Sequence, residues 1–414
     1  MSEKERERMP RRLGRFSAGI CFLLCFALVC GVMGPGVWAG QETEVKENQE
    51  GGAQREGPEI TAKGAVLLDA ASGRVLFEKN AHEPLPPASV TKVMSMLLVM
   101  EAVDRGEISL QDPVTISERA ARMGGSQLFM EPGEVHRVEE LMKGVAMASA
   151  NDACVALAEY VGGSEEAFVE MMNERARELG MENTHFQNTN GLPVAEHYAS
   201  AYDIGVMSRE LLTHEALRPW LVTWMDTMTI GKEGHETEFG LTNTNRLIRQ
   251  YSGATGIKTG YTADAMYCLS GSAKREDMEL IGVILGASSS NTRFAEMAAL
   301  LDFGFAEYKN MIFGQAHQSL GTVQVEKGEK EQVDAVLEKP AAFLAKRSEV
   351  SLVSHEIRLE QSVGAPVKKG QKLGELAVLR DGKKEAAFDL VAAEAVEKTG
   401  PVGLMAELLW AAFR

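Results

Sequence analysis

A hydroxyl and an amine lie one helical turn apart in Ser89-Val90-Thr91-Lys92, a spacing that suits a nucleophile and its base. A serine is a poor nucleophile until a base takes its proton, and a lysine becomes such a base when burial lowers its pKa. Ser149-Ala150-Asn151 adds a second hydroxyl, able to relay a proton, and an amide able to hold substrate. Lys258-Thr259-Gly260 adds a cation suited to a carboxylate, next to a glycine that lets a ligand backbone come close. Together the three strings describe acyl transfer to a serine. Each has a plainer explanation when taken alone: Ser89 as a helix cap with Lys92 in solvent, Ser149 or Asn151 as a cap, Lys258 exposed at a strand end. Against this, Lys92 sits among Val90, Val93 and Met94, and the Ser149 string is bracketed by the apolar runs 145–148 and 153–158. Polar groups in such places need partners.

The elements that must bring these strings together are legible from periodicity. Residues 64–69 and 74–78 read as two strands of a hairpin, and 89–103 as a helix whose apolar residues recur at helical spacing until Gly106. From there to about 212 the pattern is mostly helical, with loops at 124–125, 162–163 and 188–193. Strand patterns resume at 257–262, 268–273 and 280–285, and a helix over about 291–305 follows. Strands, a helical insert, more strands and a closing helix predict an α+β fold, an antiparallel sheet flanked by helices. Beyond about 314, short alternating runs such as 322–326, 356–360 and 376–379 predict a small all-β domain.

The expected organisation is therefore an export signal over 1–39, a flexible linker over 40–58, a catalytic domain over 59–312 and a β-rich domain over 313–397. An apolar amphipathic helix over 398–414 ends the chain. The first segment has a basic start, an apolar run over 16–33 and Val37-Trp38-Ala39 before Gly40, as a cleaved signal has. The run is also long enough to span a bilayer, so a retained anchor is the alternative. The last helix is too short to span, and either lies in the membrane interface through Trp410 and Phe413 or packs on its own domain. The formal net charge is −16, and −19 without the first 39 residues, which disfavours nucleic acid as a partner. Past the signal only Cys154 and Cys268 remain, too few for a disulfide framework and expected as small buried hydrophobes. The eight histidines form no ligand-spaced cluster, so neither a metal nor another cofactor is expected.

With 85–94 (Leu-Pro-Pro-Ala-Ser-Val-Thr-Lys-Val-Met) and 256–262 (Gly-Ile-Lys-Thr-Gly-Tyr-Thr) around them, the three strings resemble the low-molecular-mass penicillin-binding proteins. More narrowly they resemble the serine-type D-alanyl-D-alanine carboxypeptidases, over about 61–305 and, in layout, through the β-rich domain and terminal helix. The resemblance implies a transpeptidase-like fold, a peptidoglycan stem peptide ending in D-Ala-D-Ala as substrate, and β-lactam antibiotics as covalent inhibitors. It implies that Ser89 attacks the penultimate D-Ala carbonyl, Lys92 takes its proton, and Ser149 passes a proton to the departing amine. It gives Asn151 the peptide, Lys258 and Thr259 the terminal carboxylate, Gly260 the close approach, and the N–H groups of Ser89 and Tyr261 the oxyanion. Arg293 matches an arginine near the carboxylate subsite; its alternative is a surface residue of the closing helix. Two residues depart from the common pattern, Ala150 and Met266, each where glycine is frequent, and neither removes a functional group. The rival enzyme is a serine β-lactamase, but 149–258 holds no convincing deacylating glutamate motif. The rival of another class, a catalytically silent wall-binding protein, is disfavoured by the intact strings.

Overall fold

The protein, seen in a computed structural model, is described over residues 57–400. The expected export segment, nearly all of the linker and nearly all of the terminal helix lie outside the described residues.

Strands β1 (Gly64–Asp69) and β2 (Val75–Lys79) open the chain as the predicted hairpin. A 3₁₀ turn over Ala88–Thr91 then leads into helix α1 (Lys92–Asp104). Two short strands, β3 (Pro113–Thr115) and β4 (Val135–Arg137), pair around the loop 116–134. Helices α2 (Glu118–Ala121), α3 (Val138–Lys143), α4 (Asn151–Gly162), α5 (Glu165–Glu178) and α6 (Ala201–Leu211) form the helical insert. Next come α7 (Arg218–Val222), a hairpin of β5 (Met225–Ile230) and β6 (Thr237–Thr242), and α8 (Leu247–Gln250). The hairpin had no strong sequence signal because it alternates threonine with few apolar residues and keeps much of its surface in water. Strands β7 (Ala254–Thr262), β8 (Met266–Arg275) and β9 (Met278–Ala287) complete an antiparallel sheet in the order β2-β1-β9-β8-β7. The closing helix is α9 (Ser290–Glu307).

The central strands read as unbroken apolar runs because both faces of the sheet are covered. In β1, Val66 and Leu68 join the core built by the helical insert, while Ala65 and Leu67 join the one under α9. Strand β9 divides likewise, with Ile281, Val283 and Leu285 on one side and Leu280 and Ile284 on the other. Helix α1 is buried on every side, from Lys92 through Met100. A helix apolar all round belongs in a core, and its first residue is a lysine.

Past α9, β10 (Tyr308–Gly314) pairs with a later strand, β13 (Ala341–Lys346). A six-stranded sheet then forms from β11 (Ser319–Glu326), β12 (Gln332–Leu337), β14 (Val353–Leu359), β15 (Ser362–Gly364), β16 (Lys372–Arg380) and β17 (Lys383–Ala392). It has its own apolar core around Val323, Val333, Leu376 and Leu390. This is the all-β domain that the alternating runs predict. Cys154 and Cys268 are free and buried, as expected.

One packing contact positions the 3₁₀ turn. The loop 188–193 crosses it so closely that a Cβ on Gly191 would lie 1.9 Å from Ala88 O and 2.9 Å from Ser89 N. Gly191 also has φ +84°, a conformation that disfavours any side chain. Gly191→Ala should therefore destabilise the fold by about 2 kcal/mol or more, read as a lower thermal midpoint. Gly124→Ala, whose added methyl meets nothing within 4 Å, should not. An unchanged midpoint in Gly191→Ala would contradict the contact.

Candidate active site

The 3₁₀ turn holds Ser89 half-buried at the entrance to α1 and places Lys92 one turn beneath it. Neither plain explanation survives: no side chain caps the turn, and Lys92 is 0% exposed. Its Nζ lies 3.1 Å from Ser89 Oγ, and donates to Asn151 Oδ1 at 2.6 Å and to the Asn190 carbonyl at 2.7 Å. Burial lowers its pKa to about 8, against an opposing pull from Cys154 and Asp152.

Asn151 begins α4, but its side chain does not cap the helix. Its Nδ2 donates to Gly124 O at 2.6 Å, which fixes the amide with Oδ1 toward Lys92. Ser149 ends the irregular turn Gly144–Ala148 in the left-handed conformation, φ +63°. Its hydroxyl makes no hydrogen bond to Ser89, Lys92 or Lys258. A left-handed serine is strained by about 1–2 kcal/mol, and Ala88 beside the nucleophile has φ +48°.

Strand β7 is the outer strand of its sheet and runs alongside the turn. A Cβ on Gly260 would lie 2.9 Å from Pro87 O and 3.0 Å from Ser89 N, so only glycine admits this approach. Arg293 Nη1 donates to Gly260 O at 3.0 Å and to Cys268 O at 3.1 Å, across the ladder between β7 and β8. Gly260 therefore turns its polar backbone toward β8. Because successive residues of a strand alternate, Tyr261 turns its N–H and carbonyl to the free edge, toward Ser89. The Tyr261 ring is 57% exposed and packs against Tyr267, centroids 4.5 Å apart.

Lys258 is 1% exposed and donates to Thr259 O at 3.0 Å. Its pKa is pushed well down, first by burial and then by the positive charges of Lys92 and Arg293. Lys92 and Lys258 thus lie near enough to repel each other when both are charged. Arg293 is buried rather than on the surface; burial lowers its pKa to about 10, and its Nε has no partner among the described residues. Among the described residues, none of Lys92, Lys258 and Arg293 forms an ion pair with a carboxylate. Three buried basic groups with no carboxylate paired to them favour an anionic ligand nearby.

Sequence reasoning missed four supports. Thr244 accepts the Thr259 hydroxyl at 2.7 Å. Asn190 supplies the carbonyl over Lys92. Asp152, wholly buried, accepts backbone N–H groups from Leu128, Phe129, Met130 and Ala153, which pins the loop beside Asn151. His197 accepts from Gln187 N through Nδ1, so Nε2 carries the proton and donates to Thr91 Oγ1 at 2.8 Å. Burial lowers its pKa to about 4, so it stays neutral and ties down the nucleophile's turn. The loops bearing Asn190 and Gly124 were visible as breaks in the helical pattern; nothing local marked their carbonyls.

Residues 51–289 match the family of D-alanyl-D-alanine carboxypeptidases, and residues 308–398 match the C-terminal domain of penicillin-binding protein 5. The chain is 43% identical over 356 residues to D-alanyl-D-alanine carboxypeptidase DacF of Bacillus subtilis, which covers 85% of this chain and 91% of that protein. It is 34% identical over 395 residues to DacC, the same kind of enzyme from Escherichia coli, over 94% of this chain and 92% of the relative. Among solved structures, penicillin-binding protein 5 from Haemophilus influenzae superposes with a TM-score of 0.69 at 30% identity, over 83% of this chain and 99% of that one. With a serine and a buried lysine in hydrogen-bond reach and a family match over more than half its length, the chain belongs to the serine D-alanyl-D-alanine carboxypeptidases, the low-molecular-mass penicillin-binding proteins.

Proposed function

We propose that this chain removes the terminal D-Ala from peptidoglycan stem peptides through an acyl-enzyme on Ser89, and that β-lactams acylate the same oxygen. The observation that carries this reading is the set of partners around Lys92. Asn190 O and the fixed Asn151 Oδ1 can only accept, so they hold two N–H bonds of the amine. The third direction faces Ser89 Oγ. When Lys92 loses a proton, its lone pair therefore points at the Ser89 hydroxyl, and a pKa near 8 makes that loss accessible at working pH.

The substrate carboxylate binds at Lys258 and the Thr259 hydroxyl, which gives up its bond to Thr244. It brings the negative charge that the protein does not provide and draws Lys258 toward its protonated form. Arg293 adds positive potential from beneath the strand, its Nη1 already committed to carbonyls. Ser89 Oγ attacks the penultimate carbonyl while its proton passes to Lys92. The oxyanion meets the N–H groups of Ser89 and Tyr261, donors of a kind that contribute about 3 kcal/mol each. Ser149 relays the proton to the leaving amine as the C–N bond breaks, Asn151 holds the peptide, and water then releases the shortened product. A β-lactam follows the same course to ring opening, but its amine stays tethered and the adduct persists. We read 59–312 as the domain that does this and 313–397 as a separate β domain. Export fits a substrate outside the cytoplasm, and 398–414 offers an apolar contact for the membrane surface.

Incubation with a peptide ending in D-Ala-D-Ala should release free D-Ala, and Ser89→Ala should abolish both release and labelling by fluorescent penicillin. Release that persists in Ser89→Ala would overturn the proposal. The pH dependence has a definite sign. The reactive form of Lys92 is the unprotonated one, about a tenth of the molecules at pH 7 and nearly all at pH 9 for a pKa near 8. The rate constant for acylation by benzylpenicillin should therefore rise about tenfold over that interval, and a flat or falling profile would contradict Lys92 as the base.

A further inference from the structure

Lys92 is aimed at Ser89 only while its two acceptors, Asn190 O and Asn151 Oδ1, stay in place. One buried carboxylate reaches the loops behind both. Glu165 opens α5, where the helix dipole favours an acid left in solvent. Its neighbour Glu166 takes that course, with 68% of its side chain exposed, but the Glu165 side chain is only 8% exposed. Dipole attraction does not offset the burial of a carboxylate, so the partners of Glu165 must.

Those partners lie on different loops. Oε1 accepts from Thr189 Oγ1 at 3.0 Å, and Oε2 pairs with Arg119 Nη2 at 2.7 Å. Thr189 directly precedes Asn190, whose carbonyl takes one N–H of Lys92. Arg119 lies in α2, shortly before Gly124, whose carbonyl holds the Asn151 amide with Oδ1 toward the same amine. We propose that Glu165 is a positioning residue for the reaction, a clamp between the loops 188–193 and 116–134 that fixes both acceptors around Lys92. The proposal rests on the carboxypeptidase reading and adds to it a group that touches neither substrate nor reacting atoms.

Each loop has other anchors, with a different reach. Ser95 Oγ and Cys154 Sγ donate to the Thr189 carbonyl at 2.6 and 3.2 Å, and Asp152 holds 128–130 on the far side of Gly124. None of these holds the Thr189 side chain or the stretch between α2 and Gly124. Without the clamp the loops stay attached, and the fault is a small displacement of the two acceptors rather than unfolding. A shift of about 1 Å at a catalytic group costs about a hundredfold in rate, and a fraction of it about tenfold.

The test measures acylation by benzylpenicillin, as its limiting rate and its half-saturating concentration. Thr189→Val deletes the hydroxyl at nearly constant volume, and Thr189→Ser keeps it. Glu165→Gln keeps an acceptor for Thr189 but loses the charge that holds Arg119. The limiting rate should fall about tenfold in Thr189→Val and in Glu165→Gln, with the half-saturating concentration unchanged, and should keep its wild-type value in Thr189→Ser. Loss of packing alone predicts the reverse order for Thr189, since serine lacks a methyl group that valine retains. A wild-type rate in Thr189→Val or in folded Glu165→Gln would overturn the clamp and leave the carboxypeptidase reading intact. So would an equal loss in Thr189→Ser, or a loss confined to the half-saturating concentration. The Thr189 pair decides the matter whether or not Glu165→Gln folds. A wild-type chain that benzylpenicillin does not acylate would overturn the carboxypeptidase reading itself.

Discussion

An ammonium group enclosed in a protein core without a carboxylate paired to it must give up part of its proton affinity. Lys92 is that group here. Shifting its pKa from 10.5 to about 8 costs the folded state about 3 kcal/mol at neutral pH. The sign is clear: below pH 8 the lysine is charged in both states and the cost is full, and stability is regained as pH rises from 8 toward 10.5. The rest of the catalytic domain keeps this arrangement from relaxing. Helix α1 is buried on every side from Lys92 through Met100, so Lys92 cannot swing out to solvent. Asn190 and Asn151 come from distant segments, each held in turn by a turn or a carbonyl. Gly191 lets its loop close over the nucleophile.

The other two buried bases, Lys258 and Arg293, follow the same logic, and burial lowers the proton affinity of each. Their hydrogen bonds go to backbone carbonyls rather than carboxylates, so no anion of the described residues cancels the charge they carry when protonated. A permanent carboxylate beside them would stabilise the fold and close the site to an anionic substrate. The site also holds backbone strain. Ala88 and Ser149 both hold left-handed conformations, one beside the nucleophile and one just before α4. Such strain persists only where the surrounding packing imposes it.

Much of this was legible in the sequence. The strands of the main sheet and the closing helix emerged because apolar runs and their spacing are local properties, and β1 falls on the predicted 64–69. The chemical strings were legible because their residue types are unusual for their surroundings, a lysine among valines and methionines above all. The β5–β6 hairpin was not, since half-solvated threonine strands carry little hydrophobic signal. Nor were the supports: Asn190 acts through its carbonyl, which every residue possesses, and Thr244 and His197 matter only through partners 15 and 106 residues away. Arg293 shows the limit best. Its sequence allowed a surface residue or a buried one, and only the packing of α9 against β7 and β8 decided it.

The central claim, that burial makes Lys92 a base at working pH, can be measured directly by NMR titration of the chain with lysine labelled at Cε. The resonance that disappears in Lys92→Arg should titrate with a midpoint near 8. A midpoint in the ordinary lysine range, near 10.4, would contradict the account, because the amine beside Ser89 would then be charged whenever the enzyme works.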